Sequence, residues 1–300
     1  MSKNLIIPER IQVETVFGCN ASCIMCPVNM PTKRKKGVMS LELFKKIVDE
    51  IEPYKNHIKK FDLWGLGAPL LDNTLFEKIK YAKSKGFGSL AIATNANLLD
   101  EKKQDKILES GLDAVIFSID GTKKETHESI RKGVNFDRVV KNAKSIIEKR
   151  DRGNYRTRFV FRFIRQDLNK NQWAEFKKFW GSLISKEKGD KIIGYDMHSW
   201  GGELPLSKIN QKNHEIALKP CHHVFDRLMI LWDGTVPLCC SDLHHANYSL
   251  GNVKDSLPIE IFNNEKITNI RKIHLAHKKN SMKICKECTI LYSEMHQEIE

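Results

Sequence analysis

The sequence predicts an α/β fold in which a parallel sheet of six strand–helix units is followed by a smaller C-terminal region. Two observations carry this prediction. Short apolar runs alternate six times with amphipathic helical patterns over the first two-thirds of the chain, and such alternation is typical of βαβ units. From about Gly201 the chain becomes polar and the alternation stops, which indicates a second, smaller domain.

The predicted strands are short runs rich in β-branched and aromatic residues, which favour a pleated, half-buried surface. Polar and glycine-rich segments follow several of them, so chemistry is expected at the carboxyl ends of the strands. The six runs are Ile11–Phe17, Lys60–Trp64, Ser89–Asn95, Asp113–Gly121 (ending in a turn), Thr157–Arg165 and Lys191–Trp200.

The predicted helices show apolar residues at three- and four-residue spacing, which places them on one face. Ser40 is a suitable N-cap for the first helix, and the third ends near Gly111. The apolar stripes of the first, second, fourth and fifth helices are Leu41/Phe44/Ile47/Val48/Ile51, Leu75/Ile79/Ala82, Phe136/Val139/Val140/Ala143/Ile146/Ile147 and Trp173/Phe176/Phe179/Trp180/Leu183.

The C-terminal region has a different pattern. Leu228–Trp232 and Thr235–Cys239 flank Asp233-Gly234, which predicts a hairpin around a tight turn, and Ile259–Ile273 is predicted to be helical. A polar linker is expected to begin at Gly201. The predicted organisation is therefore a domain over residues 1–200, a linker over 201–219 and a second domain over 220–300.

Composition narrows the class of protein. The chain has 300 residues, 41% of them hydrophobic, and eight cysteines. It contains no apolar run near the ~20 residues that span a bilayer and no signal-peptide core, so we expect a cytoplasmic protein without a membrane partner. Eight cysteines in that compartment favour metal or redox chemistry over disulfides.

The net charge of +13 is spread along the chain. The densest basic run, Lys33–Lys36, follows a group of cysteines. A nucleic-acid partner is one interpretation of such a charge, but lysines distributed over amphipathic helices favour a solvated surface. A second interpretation is an anionic small-molecule substrate.

Three thiols lie on one loop directly after the first predicted strand: Cys19, Cys23 and Cys26, spaced Cys-x3-Cys-x2-Cys. Three thiolates can hold one soft metal centre but cannot complete a four-ligand site. A four-iron cube held by three cysteines leaves one iron open to an exogenous ligand. A zinc knob is the alternative that the loop alone leaves open.

The loop resembles that of the radical S-adenosylmethionine (radical SAM) enzymes. The resemblance implies a partial (β/α)6 TIM-like barrel, a [4Fe–4S] cluster whose open iron binds S-adenosylmethionine (SAM), and a reductant such as flavodoxin or ferredoxin. In that family, reductive cleavage of SAM yields a 5′-deoxyadenosyl radical that takes a hydrogen atom from the substrate.

Later segments are similar to the family's SAM-binding segments. Gly65-x-Gly67-Ala68-Pro69 has Ala68 where the family usually has Glu, and Thr94-Asn95 has Ala96 where the family has Gly. Read alone, the first would be an ordinary turn, and Arg131 could equally be a surface residue. The resemblance implies a SAM site made of Met25, Gly65, Gly67, Ala68, Thr94, Asn95, Ser118, Asp120 and Arg131.

A second group of cysteines resembles the SPASM/twitch extension of radical SAM enzymes, which carries auxiliary clusters. Four thiolates fully ligate one [4Fe–4S] cluster, and Cys239 is favoured over Cys240 because it fits Gly234-x4-Cys. A structural zinc site on the same thiols stays open. The implied ligands are Cys221, Cys239, Cys285 and Cys288.

This layout resembles that of radical SAM enzymes with a single auxiliary cluster, such as 2-deoxy-scyllo-inosamine dehydrogenase. It implies oxidation of a small polyol, sugar or aminosugar, free or linked to a phosphate or nucleotide, with the auxiliary cluster accepting an electron. A peptide maturase and a non-catalytic zinc- or nucleic-acid-binding protein stay open as alternatives. Candidate proton acceptors are Asp242, the first choice, and Arg165, His198 and Glu203.

Overall fold

The computed structural model describes residues 5–204 and 219–300. The strands in this part of the chain are β1 Arg10–Val13, β2 Val16–Phe17, β3 Ser22–Cys23, β4 Gly37–Val38, β5 Lys60–Asp62, β6 Leu90–Thr94, β7 Ala114–Ser118, β8 Arg131–Lys132, β9 Arg158–Arg165, β10 Lys191–Asp196, β11 Arg227–Ile230, β12 Thr235–Val236, β13 Gly251–Asn252 and β14 Glu298–Ile299.

The helices in the same part of the chain are α1 Leu41–Ile51, α2 Leu75–Ser84, α3 Glu101–Glu109, α4 Lys124–Ile130, α5 Phe136–Arg152, α6 Trp173–Gly181, α7 His223–Asp226, α8 Pro258–Ile261, α9 Glu265–Leu275, α10 Lys283–Lys286 and α11 Ile290–Met295. None of the helices in residues 5–204 and 219–300 is both long enough and apolar enough to cross a membrane.

The central sheet has the strand order β11-β1-β5-β6-β7-β9-β10-β14. The six inner strands, from β1 to β10, follow chain order and pair in parallel. This arrangement confirms the prediction of an α/β fold with a six-unit partial barrel. The carboxyl ends of these strands therefore meet at one end of the barrel, which is where the loops with polar residues gather.

The predicted helix α1 shows why the local patterns were reliable. The side chain of Ser40 accepts a hydrogen bond from the amide of Leu43 at 3.1 Å, as expected of an N-cap. Phe44, Ile47 and Val48 are fully buried in the core between helices and sheet. An apolar stripe that meets a sheet in this way removes several side chains from water, which favours both elements together.

Strand β9 has two different faces because side chains alternate along a strand. Phe159, Phe161 and Phe163 are fully buried, and Phe161 stacks on Trp180 of α6 with ring centroids 4.2 Å apart. The alternate residues, which include Arg162, face a cavity inside the barrel. The outer face therefore stabilises the fold, while the inner face is available for binding.

Two predicted runs are interrupted in the structure, and two short elements were not predicted. The run Ile11–Phe17 is split into β1 and β2, and Glu14, which lies between them, forms an ion pair with Arg34. The run Ile259–Ile273 forms two helices, since Asn264 caps a new helix through the amide of Ile267. Helix α4 and strand β8 are too short to have been recognised as periodic patterns.

The predicted hairpin after residue 227 is wrong in its pairing. The tight turn forms, and Gly234 adopts a φ of +90° that favours glycine. However, β11 pairs in parallel with β1, and β12 pairs with β13. A local pattern predicts the turn, but β11 can pair over more residues with the free edge of β1 than with the short strand β12.

The C-terminal part of the chain completes the barrel. Strand β11 extends one edge of the sheet, and β14 pairs with β10 at the other edge. Of the predicted linker over 201–219, residues 205–218 lie outside the described residues, and its first two residues belong to a short helical turn, Trp200–Gly202. Ser199, which precedes this turn, donates its hydroxyl hydrogen to the carbonyl oxygen of Glu287 at 2.5 Å. The domain boundaries at 200 and 220 stay a prediction.

Candidate active site

The cysteine loop is held against the end of the barrel by a short pair of strands. Cys23 on β3 is opposite Arg131 on β8, and Arg131 approaches the Cys23 sulfur at 3.7 Å. Burial raises the pKa of all three thiols on the loop, that of Cys26 to about 12. Burial thus favours the neutral form of these thiols, and a soft metal centre bound to them would stabilise the thiolate form.

The three thiols face one cavity of about 340 Å³ inside the barrel. This volume lies in the range typical of small-ligand sites. Of the residues predicted to bind SAM, all but Asp120 line the cavity: Met25, Gly65, Gly67, Ala68, Thr94, Asn95, Ser118 and Arg131. Asp120 is fully buried behind it and forms an ion pair with Arg131 at 2.7 Å, so its contact with the site is indirect.

The glycine-rich turn approaches the cysteine loop through its backbone. The amide of Ala68 donates to the carbonyl oxygen of Gly18 at 2.9 Å. A Cβ on Gly67 would lie 2.1 Å from the carbonyl oxygen of Val16, so only glycine fits there. The main chain of the turn is thus held in place even though Ala68 occupies the position where the family usually has glutamate.

Glu14 supports this turn from behind, which the sequence analysis did not recognise. Its carboxylate accepts the amide of Leu66 at 3.1 Å and forms an ion pair with Arg34. Burial raises the pKa of Glu14, against the effect of Arg34. A glutamate within an apolar strand was the available signal, because such a charge is rarely buried unless it is paired.

Two further residues of the predicted SAM site have defined partners. The side-chain amide of Asn95 donates to Oδ1 of Asn20 in the cysteine loop at 3.1 Å. The hydroxyl of Ser118 accepts from Arg162 at 2.7 Å. The ends of β6 and β7 therefore meet the loop and β9 around the same cavity.

The second group of cysteines also converges. Five of them line one cavity between α7, α10 and the segment after β12: Cys221, Cys239, Cys240, Cys285 and Cys288. All eight cysteines of the chain are free thiols. Five sulfur donors around one cavity suit a four-thiolate cluster with one thiol left over.

Cys239 and Cys240 differ in their surroundings. Burial raises the pKa of Cys239 well above its usual value, with Cys240, Cys288 and Cys221 as further causes. Burial also raises the pKa of Cys240, to about 11, and the next cause is Arg227 of the barrel, which lowers it. Cys240 lines both cavities. Cys288 is a further cause of the raised pKa of Cys240, so both thiols lie near the auxiliary cysteines, and of the two only Cys240 also lines the barrel cavity.

A family model of the radical SAM superfamily matches residues 13–162, which is half of the chain. The chain belongs to the radical SAM superfamily. A second model, that of the SPASM iron–sulfur cluster-binding domain, matches residues 221–289. SAM and [4Fe–4S] clusters are the cofactors of this radical SAM enzyme, which acts on a substrate and needs a reductant.

One curated relative covers most of the radical SAM chain. It is the tungsten-containing aldehyde ferredoxin oxidoreductase cofactor-modifying protein of Pyrococcus furiosus, 24% identical over 307 residues, or 88% of this chain and 83% of that protein.

Two solved structures share the fold. BtrN in complex with AdoMet and 2-DOIA has a TM-score of 0.63 at 18% identity, covering 96% of this chain and 94% of that one. SuiB of Streptococcus suis bound to precursor peptide SuiA has a TM-score of 0.66 at 14% identity, covering 97% and 72%.

The four proton-acceptor candidates of this radical SAM enzyme are not brought together. His198 lines the barrel cavity. The carboxylate of Asp242 accepts backbone amides, including that of Asn247 at 2.9 Å, and so shapes the segment after Cys240. Glu203 contacts His244 at 3.1 Å and His245 at 3.3 Å.

Arg165, the fourth candidate, lies outside the radical SAM cavity. It pairs with Asp196 at 2.8 Å and with Glu298, so it joins β9 to β10 and β14. Polar residues that the sequence analysis missed line the cavity instead: Arg10, Gln12, Arg162, Tyr195, Arg227, Ser293 and Glu294. For Arg162 the signal was present, since it is a cationic residue on the inner face of an alternating strand.

Proposed function

We propose that this radical SAM enzyme oxidises a small polyol, sugar or aminosugar, with an auxiliary [4Fe–4S] cluster as electron acceptor. One observation carries the proposal. The cavity that the thiols of the cysteine loop line is also lined by Cys240, which in turn lines the cavity of the auxiliary cysteines. A substrate held there would lie between the group that removes hydrogen and the group that accepts an electron.

The proposed ligands follow from the two cavities. Cys19, Cys23 and Cys26 would hold the SAM-binding cluster, and Cys221, Cys239, Cys285 and Cys288 would hold the auxiliary cluster. When bound, SAM and its cluster supply removal of a substrate hydrogen atom, and the auxiliary cluster supplies an electron sink. The protein then has to position a hydroxyl group and accept its proton.

His198 is suited to positioning the hydroxyl. Burial lowers the pKa of His198 to about 4, so the ring is neutral near pH 7. Its Nδ1 accepts the amide of Trp200 at 3.2 Å, which assigns the remaining hydrogen to Nε2. The neutral ring therefore offers a donor to a substrate oxygen.

Glu294 of α11 is the carboxylate on the cavity wall and is proposed as the proton acceptor, in place of Asp242. Burial by itself would raise the pKa of Glu294, but the hydrogen bond from His223 and nearby cationic groups outweigh burial and lower it. Glu294 is therefore ionised at neutral pH. Conversion of an alcohol to a carbonyl releases one proton after hydrogen removal, and an ionised carboxylate can take it.

The relatives support a small-molecule substrate. The BtrN structure contains 2-DOIA, and the name of the Pyrococcus protein refers to modification of a cofactor. A second candidate function, maturation of a peptide, is supported by the SuiB structure with its bound precursor peptide. The eight free thiols suit a reducing cytoplasm, and flavodoxin or ferredoxin is proposed as the reductant.

The test uses anaerobically reconstituted protein and a panel of polyols, sugar phosphates, nucleotide sugars, aminocyclitols and peptides. We expect about eight irons per chain, falling to about four when Cys19, Cys23 and Cys26 are all replaced by alanine. We expect 5′-deoxyadenosine and a carbonyl product in equal amounts from a non-peptide substrate.

The variant Cys285→Ala separates the two halves of the reaction. It should still form 5′-deoxyadenosine, because the SAM-binding site is intact, but it should not form the carbonyl product. Full oxidation by Cys285→Ala would contradict an auxiliary cluster that accepts the electron. Turnover with peptides alone would favour the second candidate function.

A further inference from the structure

The inner wall of the barrel cavity is strongly cationic. Four arginines line it in the part of the chain that the structure describes: Arg10, Arg131, Arg162 and Arg227. The single carboxylate among these lining residues is Glu294, which is tied to His223 at 3.0 Å. A cavity with this balance of charge would attract an anion.

Two of the arginines are neutralised by partners behind the wall. Arg131 pairs with Asp120 at 2.7 Å, and Arg10 pairs with Asp62. Both carboxylates are buried. These two arginines therefore have their charge balanced within the protein, which leaves Arg162 and Arg227.

Arg162 and Arg227 have unsatisfied guanidinium groups. Arg162 donates one hydrogen bond, to the hydroxyl of Ser118 at 2.7 Å, and its Nε is buried without a partner. The Nε of Arg227 is likewise buried without a partner. Neither forms an ion pair within residues 5–204 and 219–300. A guanidinium N–H that is buried without a hydrogen-bond partner is costly, so a bound oxyanion that accepts from it would relieve that cost.

The two guanidinium groups face the same space. In the sheet, Arg227 of β11 is opposite Arg10 of β1, and Arg162 extends from the inner face of β9. The phenol of Tyr195 lines the cavity, and the charges of Arg162, Glu294, Arg10 and Arg227 all act on it. Arg162 and Arg227 therefore line one cavity together with Tyr195.

We propose that Arg162 and Arg227 bind an oxyanion of the substrate, a phosphate or a carboxylate, inside the barrel. This inference rests on the proposed function and names the chemical class of its substrate. The guanidinium fork matches such oxyanions with two parallel hydrogen bonds. An oxyanion bound by Arg162 and Arg227 would hold the uncharged part of the substrate between these arginines and the cysteine loop.

Binding is measured by calorimetry on the reconstituted holoenzyme saturated with SAM, with inorganic phosphate, pyrophosphate and malonate as separate probes. Saturating SAM excludes its own carboxylate as the source of the effect. We expect at least one probe to bind, and Arg162→Gln and Arg227→Gln each to weaken it about ten- to a hundredfold. The stronger of the phosphate and malonate probes identifies the oxyanion.

Arg156→Gln, at an exposed arginine, is the matched control and should bind the probes like the wild type. If a glutamine variant loses its iron or its fold, Arg162→Lys and Arg227→Lys keep the charge without the fork and should show an intermediate loss. Failure of every probe to bind the wild type, unchanged probe affinity in the Arg162 and Arg227 variants, or a loss of SAM affinity alone would overturn the proposal.

The test is independent of turnover. If the arginine variants lose probe binding while no alcohol is oxidised, the anion site stands and the proposed oxidation fails. If oxidation is observed with neutral substrates and the probes do not bind, the oxidation stands and the anion site fails.

Discussion

Trp200 donates its indole N–H to the carbonyl oxygen of Met25 at 2.8 Å. This bond joins the segment after the last inner strand to the cysteine loop. The neighbouring Ser199 is bound to Glu287 and Thr289 of the C-terminal domain. The loop, the barrel and the C-terminal domain are therefore connected through two adjacent residues.

The first prediction concerns this connection. Trp200→Phe removes the indole donor and leaves the Met25 carbonyl without its partner, at a cost of about 1 kcal/mol. We expect SAM to bind several-fold more weakly, with the iron content unchanged, as measured by equilibrium binding of SAM. Trp232→Phe is a matched control, since Trp232 also donates to a backbone carbonyl, that of Lys35 at 3.1 Å, away from the cavity. Equal weakening in both variants would contradict a specific role of Trp200.

The second prediction separates Cys239 from Cys240. Because Cys239 lines the cavity of the auxiliary cysteines but not the barrel cavity, whereas Cys240 lines both, Cys239→Ala should reduce the iron content from about eight to about four per chain. Cys240→Ala should keep about eight, since four thiolates remain. Iron and sulfide analysis after anaerobic reconstitution measures both. The reverse pattern would make Cys240 the ligand.

The third prediction concerns the glycine-rich turn. In Gly67→Ala the new methyl group would lie 2.1 Å from the carbonyl oxygen of Val16, so the turn has to move away from the cysteine loop. We expect more than tenfold weaker SAM binding and a loss of about 1–3 kcal/mol in the free energy of unfolding. Gly88→Ala is the control, because nothing lies within 4 Å of its Cβ position. Wild-type SAM affinity in Gly67→Ala would show that the turn does not need this close approach.

The fourth prediction concerns acid stability. Burial, and then the charge of Arg131, lowers the pKa of His127 to about 3. Between about pH 3 and pH 6.5 the unfolded chain binds a proton that the folded protein does not, so stability is lost as the pH falls through this window. His127→Asn keeps an acceptor for the amide of Asp120, which the ring accepts at 3.3 Å.

We therefore expect the wild type to lose about 2 kcal/mol more than His127→Asn between about pH 7 and pH 5. Denaturant unfolding at the two pH values measures this difference. His57→Asn, at an exposed histidine, should leave the pH dependence of the wild type unchanged. An identical pH dependence in His127→Asn would mean that His127 is not the group that titrates.

Much of the fold could be predicted because it depends on local periodicity. The stripe of α1 and the alternation of β9 each reflect one face that must be buried, and burial of such faces is a property of a few consecutive residues. The spacing of Cys19, Cys23 and Cys26 is also local, since all three lie on one loop. These features identified the barrel and the superfamily.

The sequence by itself determined the strand–helix order, the two groups of cysteines and the glycine-rich turn. Only the tertiary structure decided that β11 pairs with β1, that Glu14 supports the turn, that Arg162 and Arg227 face one cavity, and that Cys240 lines both cavities. The physical reason is that each of these contacts joins residues far apart in the chain. Their partners are selected by the packing of whole elements, which no short pattern of residues specifies.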